Sequence, residues 1–154
     1  MSKDILIDGI AESVLNILPK AKAALKDTYA KRPDLKLRGI QVIILDLIAH
    51  EGALSMGKLS SSLAIAKANT TPLVADLIDR GLLCRKRYEK DRRIVLIDLT
   101  DKGWCLQRKI RNENMEQFKA RLTVLKEADL AQLNEVILSL SGLLDQWLTL
   151  TGAE

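Results

Sequence analysis

The sequence predicts a mainly α fold that carries one small β-hairpin. Three observations support this: apolar residues recur at spacings of three and four over most of the chain, only residues 82–99 alternate as strands do, and three prolines and eight glycines are too few for an all-β fold. With 154 residues, 47% hydrophobic and 29% charged, the chain is long enough to bury a core and has the composition of a globular domain.

The first two helices are predicted from their apolar stripes. Residues 4–30 carry one stripe, which Pro19 is expected to kink or to divide into two segments. The sequence Arg32-Pro33-Asp34 predicts a break. A second helix is predicted from about Leu37 to Glu51, because Gly52 follows the last apolar position as a helix C-cap requires.

Two shorter helices are predicted next. Ser55 is a suitable N-cap for a helix from Met56 to about Leu63. A corner of small residues at 64–68 leads to a fourth helix that ends near Asp79. Pro72 is expected in the first turn or so of that helix, because deeper inside it would remove a hydrogen bond.

A hairpin and two long helices complete the chain. Leu82–Tyr88 and Arg93–Leu99 read as strands joined by a charged turn. Thr100 is the predicted N-cap of a helix at about Asp101–Leu122, and a last helix begins near Glu127. The central part of the chain is therefore predicted to be a helix-turn-helix followed by a β-hairpin wing.

The positive charge is concentrated in one segment. Residues 80–93 contain seven Lys or Arg against Glu89 and Asp91, which gives +5, whereas the whole chain is +4 and the other 140 residues therefore sum to −1. A local basic patch on a near-neutral body is typical of an element that binds a polyanion such as nucleic acid.

Several classes of protein are excluded by what the sequence lacks. No apolar run approaches the roughly 18 residues of a membrane span, and the amino terminus has acids where a signal peptide needs basic residues, so we expect no membrane partner and a cytoplasmic protein. His50 is the single histidine and Cys84 and Cys105 are the two cysteines. These provide neither a metal site nor a catalytic triad, so we expect no metal, no cofactor and no enzymatic activity.

The segment Asp79–Gly103 resembles the wing of the MarR family of winged helix-turn-helix transcription regulators. The family pattern is a Gly-Leu pair, a basic strand, Asp-x-Arg at the wing tip, an apolar strand and Leu-Thr-x-x-Gly. The matching residues are Gly81-Leu82, Arg85, Asp91 and Arg93, Ile94 to Ile97, Leu99-Thr100 and Gly103.

The resemblance implies a homodimer that binds double-stranded DNA at a pseudo-palindromic operator. Residues 37–103 would form the winged helix-turn-helix, and residues 1–36 and 104–154 would interlock as the helical dimerisation region. Many family members release DNA when a small lipophilic or phenolic molecule, or an oxidant, acts on them. A ligand-responsive repressor is therefore expected.

One motif resembles a particular branch of the family. Thr71-Pro72-Leu73 looks like the organic-peroxide-sensing branch, which keeps its reactive cysteine in the first helix. Residues 1–30 contain no cysteine, so peroxide sensing is not carried over.

The candidate DNA contacts lie on the third and fourth helices and on the wing. Asn pairs with adenine edges, Thr meets thymine methyl groups and Lys reaches guanine or phosphate. Arg93 occupies the family's minor-groove position, Arg92 is expected to contact phosphate, and Asp91 is expected to hold a neighbouring arginine. For Ser55 and Lys58, a helix cap and a solvated lysine are equally good readings. The full set is Ser55, Lys58, Lys67, Asn69, Thr70, Thr71, Arg85, Arg87, Lys90, Arg92 and Arg93.

The candidate dimer interface consists of two apolar stripes at opposite ends of the chain, Ile7, Ile10, Val14 and Ile17, and Leu140, Leu144, Trp147 and Leu148. A small winged domain cannot cover both stripes. Two alternatives stay open: a winged helix that binds protein rather than DNA, and a redox-responsive regulator that uses Cys84 or Cys105. Nothing in the sequence beyond the nearby cations Arg85 and Lys86 lowers the pKa of these thiols.

Overall fold

A computed structural model describes residues 2–24, 32–88, 91 and 93–151, and it confirms the mainly α fold with a small sheet. By internal contacts the chain divides into two compact units, residues 1–114 and 115–154. The elements in chain order are α1 (Lys3–Ala24), a 3-10 turn (Pro33–Leu35), α2 (Gly39–Glu51), β1 (Leu54–Ser55), α3 (Met56–Ser62), α4 (Lys67–Asp79), β2 (Leu83–Arg87), β3 (Val95–Leu99), α5 (Asp101–Leu122) and α6 (Glu127–Thr151).

The sheet has three antiparallel strands in the order β1-β3-β2, where the sequence predicted only a hairpin. The additional strand, β1, pairs Leu54 with Ile97 and Ser55 with Leu96. Two residues are too few to show strand alternation, so β1 has no signature of its own in the sequence.

The core of the first unit is built from aliphatic side chains of α2, α3, α4, the sheet and α5. Ile44, Ile48, Leu59 and Leu77 are completely buried at its centre. Ile110 of α5 is only 3% exposed and belongs to the same cluster. The first half of α5 therefore completes the core of the helix-turn-helix.

The junction between the sheet and α5 explains the Leu-Thr-x-x-Gly pattern. The Thr100 hydroxyl accepts from the Gly103 backbone N–H at 3.0 Å and donates to the Gly81 carbonyl at 2.6 Å, so it caps α5 as predicted. A Cβ atom at Gly103 would lie 2.0 Å from the Leu82 carbonyl oxygen. Only glycine lets α5 start this close to the chain entering β2.

The structure excludes one of the two alternatives for Pro19 and corrects the expectation for Pro72. Pro19 lies inside α1, which runs unbroken from Lys3 to Ala24, so no new segment starts there. Pro72 is the sixth residue of α4, deeper than predicted. Because proline has no N–H, the carbonyl of Ala68 loses its usual helical donor. Ala68 and Pro72 are both exposed, so water can bind that carbonyl.

The terminal helices differ from this core. No residue of α1 is buried. In the second unit, α6 begins with Glu127 and Asp129 in its first turn, where negative charge is favourable, as predicted. None of the helices in the described part of the chain combines the length and hydropathy that a membrane crossing requires.

Candidate nucleic-acid interface

The first turns of α4 present polar residues to solvent. Lys67, Asn69 and Thr71 are exposed. The Thr71 hydroxyl donates to the Lys67 carbonyl at 2.8 Å within the helix, and its oxygen retains the capacity to accept. These three side chains are placed where a ligand outside α4 can reach them.

Thr70 does not fit the predicted contact. Its side chain is fully buried, and its hydroxyl donates to the Ala66 carbonyl at 3.2 Å. The reason is helical phase, because residue 70 lies four and seven residues before the core positions Val74 and Leu77. Thr70 is therefore a packing residue of the core.

Two residues on the exposed side of α4 were not among the predicted contacts. Ala68 and Pro72 lie one turn apart and are both exposed. Small apolar groups on a helix that enters the major groove contact thymine methyl groups. Their spacing of four on the face opposite Val74 was the available signal.

The third helix is capped as predicted. The Ser55 hydroxyl accepts from the Lys58 backbone N–H at 3.2 Å, so its acceptor capacity serves the cap. The Ser55 hydroxyl can still donate its proton to another acceptor. Lys58 is half-buried beside it.

Arg85 and Arg87 share one face of the wing. They lie opposite Ile97 and Val95 across the β2–β3 ladder, and directly opposite residues point to the same side of a sheet. That face is apolar at its base, where Leu83 and Leu99 are buried, and basic farther out, where both arginines are exposed.

Two other cations of the basic segment are engaged within the protein. Lys86 donates to the Asp98 carboxylate at 2.5 Å, and this hydrogen bond raises the pKa of Lys86 above its ordinary value. Arg80 donates to the backbone carbonyls of Leu35 and Lys36. Fewer cations of residues 80–93 are therefore available to a ligand than the net charge of this segment suggests.

Asp91 forms a hydrogen bond with Arg93. Its carboxylate accepts from the backbone N–H of Arg93 at 2.9 Å, so Asp91 holds the neighbouring arginine through its main chain. The Arg93 side chain is exposed. Lys90 and Arg92, also predicted to contact DNA, lie outside the described residues.

A cleft of about 740 Å³ lies between the start of α2 and one flank of α4. Its lining combines two cations and one carboxylate with aliphatic and amide groups. The lining residues are Lys36, Arg38, Ile40, Gln41, Ile65, Asn69, Pro72, Leu73 and Asp76.

The predicted interface stripes and both thiols are open to solvent to different degrees. The stripe side chains are between 41% and 62% exposed: Ile7, Ile10, Val14, Ile17, Leu140, Leu144, Trp147 and Leu148. Cys105 is exposed and Cys84 is half-buried, and both are free thiols.

Comparisons with known proteins agree with this fold. The model of the MarR family matches residues 40–95, which run from α2 into β3. The organic hydroperoxide resistance transcriptional regulator of Bacillus subtilis is 30% identical over 100 residues, covering 56% of this chain and 68% of its own. The chain belongs to the MarR family. It is a winged helix-turn-helix transcription regulator, as the sequence predicted.

Other MarR-type proteins show the same relationship. The HTH-type transcriptional regulator MhqR of Bacillus subtilis is 25% identical over 101 residues, covering 66% of this chain and 70% of its own. Among solved structures, FabT of Streptococcus pneumoniae in complex with DNA superposes with a TM-score of 0.60 at 19% identity, covering 95% of this chain and 99% of that one. At this sequence identity, the similarity to FabT shows that the two proteins share a fold.

Proposed function

We propose that this regulator is a sequence-specific, ligand-responsive repressor that binds a pseudo-palindromic DNA operator as a homodimer. The observation that carries the proposal is the set of exposed wing arginines, Arg85, Arg87 and Arg93, which follows the exposed first turns of α4 in the same folded unit. The DNA complex of a protein with this fold supports it.

The division of labour follows from the chemistry of each element. The wing arginines supply attraction to the phosphate backbone and the minor groove, which is strong but weakly selective. On α4, Asn69, Thr71 and Lys67 face the base edges, and Ala68 and Pro72 add apolar contacts to thymine methyl groups. Lys58, Lys90 and Arg92 are proposed phosphate contacts, and Ser55 is able to donate its proton to one.

The dimer follows from α1 and α6. Their apolar stripes are exposed in a single chain, and a twofold interface removes them from water. Residues 1–36 and 104–154 then serve dimerisation, and residues 37–103 serve DNA binding. A twofold axis that places two α4 helices about 34 Å apart predicts an inverted repeat with half-site centres about 10 base pairs apart.

The effector is proposed to be a small lipophilic or phenolic molecule. The cleft beside α4 has the volume of a small-molecule site, and its mixture of Lys36, Arg38 and aliphatic side chains suits an aromatic acid or phenol. Salicylate tests this: we expect it to release the protein from DNA. DNA binding that is unchanged at millimolar salicylate argues against this class.

Selection of DNA from a random library with the purified protein tests the proposal as a whole. We expect an enriched inverted repeat that survives excess competitor DNA in a gel shift. A winged helix that binds protein instead would enrich no sequence.

A matched pair of variants then tests the role of α4. Asn69→Ala is expected to cost about 1–3 kcal/mol on the selected operator and little on random DNA. Thr70→Ala is expected to change binding to both DNAs equally, through stability, because its side chain is buried. A selective loss in Thr70→Ala would contradict this assignment.

A further inference from the structure

Gln41 is a buried residue of α2 whose side chain forms a hydrogen bond to α4. Its side chain is only 3% exposed. Its Oε1 atom accepts from the Arg38 backbone N–H at 3.0 Å, and its Nε2 atom donates to Oδ2 of Asp76 at 2.6 Å. One amide therefore caps α2 and fastens to α4 at the same time.

A second set of hydrogen bonds joins the end of α4, one turn farther along, to the segment that precedes α2. Arg80 donates to the Leu35 carbonyl at 2.6 Å and the Lys36 carbonyl at 3.1 Å, and its Nη1 atom lies 3.7 Å from Oδ2 of Asp76. The segment that accepts these bonds is itself held in place, because Arg32 forms a 2.6 Å ion pair with Glu113 of α5.

These bonds lie on the flank of α4, whereas its apolar contacts lie on the inner face. The inner face consists of the buried stripe Thr70, Val74 and Leu77, with the half-buried Leu73 and Ile78 beside it. Apolar burial is non-directional, so such a stripe fixes how deeply a helix sits more firmly than how it is rotated about its axis. Hydrogen bonds are directional and restrict that rotation.

The rotation of α4 matters for reading DNA. Asn69 lies seven residues, or two turns, before Asp76 on the same flank. Side-chain ends lie about 5–6 Å from a helix axis, so a rotation of about 20° moves them about 2 Å. That displacement exceeds the tolerance of a hydrogen bond to a base edge.

We propose that Gln41, Asp76 and Arg80 are positioning residues that set the rotation of α4 and thereby determine which DNA sequence the protein prefers. They act without touching DNA. Their hydrogen bonds are directional and join the buried Gln41 to the partly exposed Asp76 and Arg80 side of α4. The inference rests on the proposed role of α4 in reading bases.

A swap of the two hydrogen-bonding groups tests the proposal. Gln41→Glu keeps an acceptor for the Arg38 N–H but places two carboxylates against each other. In the double variant Gln41→Glu/Asp76→Asn, the amide introduced on α4 donates to the carboxylate introduced on α2, so the bond returns with its direction reversed and the net charge unchanged. Asp76→Ala, at a side chain that is 54% exposed, breaks the bond with little risk to folding.

The measured quantity is the ratio of affinities for the operator selected by the wild type and for random DNA of equal length. A uniform change in charge attraction cancels in this ratio. We expect it to fall at least about tenfold in Gln41→Glu and in Asp76→Ala, and to return to within about twofold of wild type in the swapped double variant. The Tm should be lower in Gln41→Glu, because a carboxylate is buried there, and close to wild type in Asp76→Ala and in the double variant.

Two other results are informative in different ways. An unchanged ratio in Gln41→Glu and Asp76→Ala, or a double variant that fails to recover, overturns the positioning role. A wild-type protein that binds selected and random DNA equally overturns the proposed function itself.

Discussion

The central region and the terminal helices place similar apolar residues in opposite surroundings. Between Leu37 and Ile110 the core side chains are at most 7% exposed. The proposed interface residues of α1 and α6 are at least 41% exposed, although their spacing along the helix is just as regular. Apolar periodicity therefore predicts that a helix has a covered face, but not whether the same chain covers it.

The largest expected effect tests whether the terminal stripes form a dimer. Leu144→Asp places a charge in the proposed interface, where burial costs several kcal/mol unless it is paired. We expect a monomeric or unfolded variant that loses operator binding far more than non-specific binding. Light scattering measures the mass, which should be twice 17.1 kDa for wild type.

Leu138→Asp is the matched control for this change. Leu138 lies on the same helix, is 65% exposed and falls outside the stripe, so the control should remain dimeric. Wild type that scatters as a 17.1 kDa species at micromolar concentration would contradict the dimer and the inverted repeat together.

The second prediction concerns the central region, whose apolar core is covered by the chain itself. Gly103→Ala forces a Cβ atom against the Leu82 carbonyl, so we expect a loss of about 3 kcal/mol or more in the free energy of unfolding. Gly57→Ala is the control, because the atom nearest to its added Cβ is 3.9 Å away. Denaturant unfolding followed by circular dichroism compares the two variants, and equal stabilities would show that the junction can relax.

The third prediction tests whether the exposed arginines of the wing bind DNA, in contrast to the exposed apolar residues of the terminal helices, which are proposed to bind a second copy of the chain. Arg93→Ala, and more weakly Arg92→Ala, should lower affinity for every DNA, and each lost phosphate contact should reduce the slope of log K against log salt by about 0.9. Lys126→Ala, an exposed cation in the second unit, is the control. Wild-type affinity in Arg93→Ala at about 0.15 M salt would exclude the wing from the interface.

The smallest effect is expected at the thiols. Cys84→Ser/Cys105→Ser should bind DNA normally, because neither side chain lies among the core residues. Gel shifts with and without peroxide measure this. If peroxide releases wild type but not the double variant, the protein is a redox-responsive regulator.

Elements with repeated patterns were predictable from the sequence. The order of the helices, the Ser55 and Thr100 caps and the Gly52 C-cap all follow from local chemistry and are confirmed. The missed features depend on distant partners. Strand β1 exists because β3 pairs with it, and Pro72 is tolerated inside α4 because that turn faces solvent.

The location of the candidate site was predictable from the sequence, but which of its side chains are available to a ligand was not. The basic segment was evident from its charge, whereas the engagement of Lys86 with Asp98 and of Arg80 with two carbonyls needed the fold. Thr70 is different, because its spacing to Val74 and Leu77 already placed it on the inner face. The burial of Thr70 was therefore predictable from the sequence by its helical phase.

Ser55 has two roles that link separate elements. It is the last residue of β1, where it pairs with Leu96 of the wing, and it is also the N-cap of α3. Ser55 therefore connects the wing directly to α3. In hydrogen exchange, the amides of β3 and α3 should open together as one cooperative unit, slower than the exposed helix α1. Separate exchange of the two sets of amides would show that Ser55 does not couple the wing to α3.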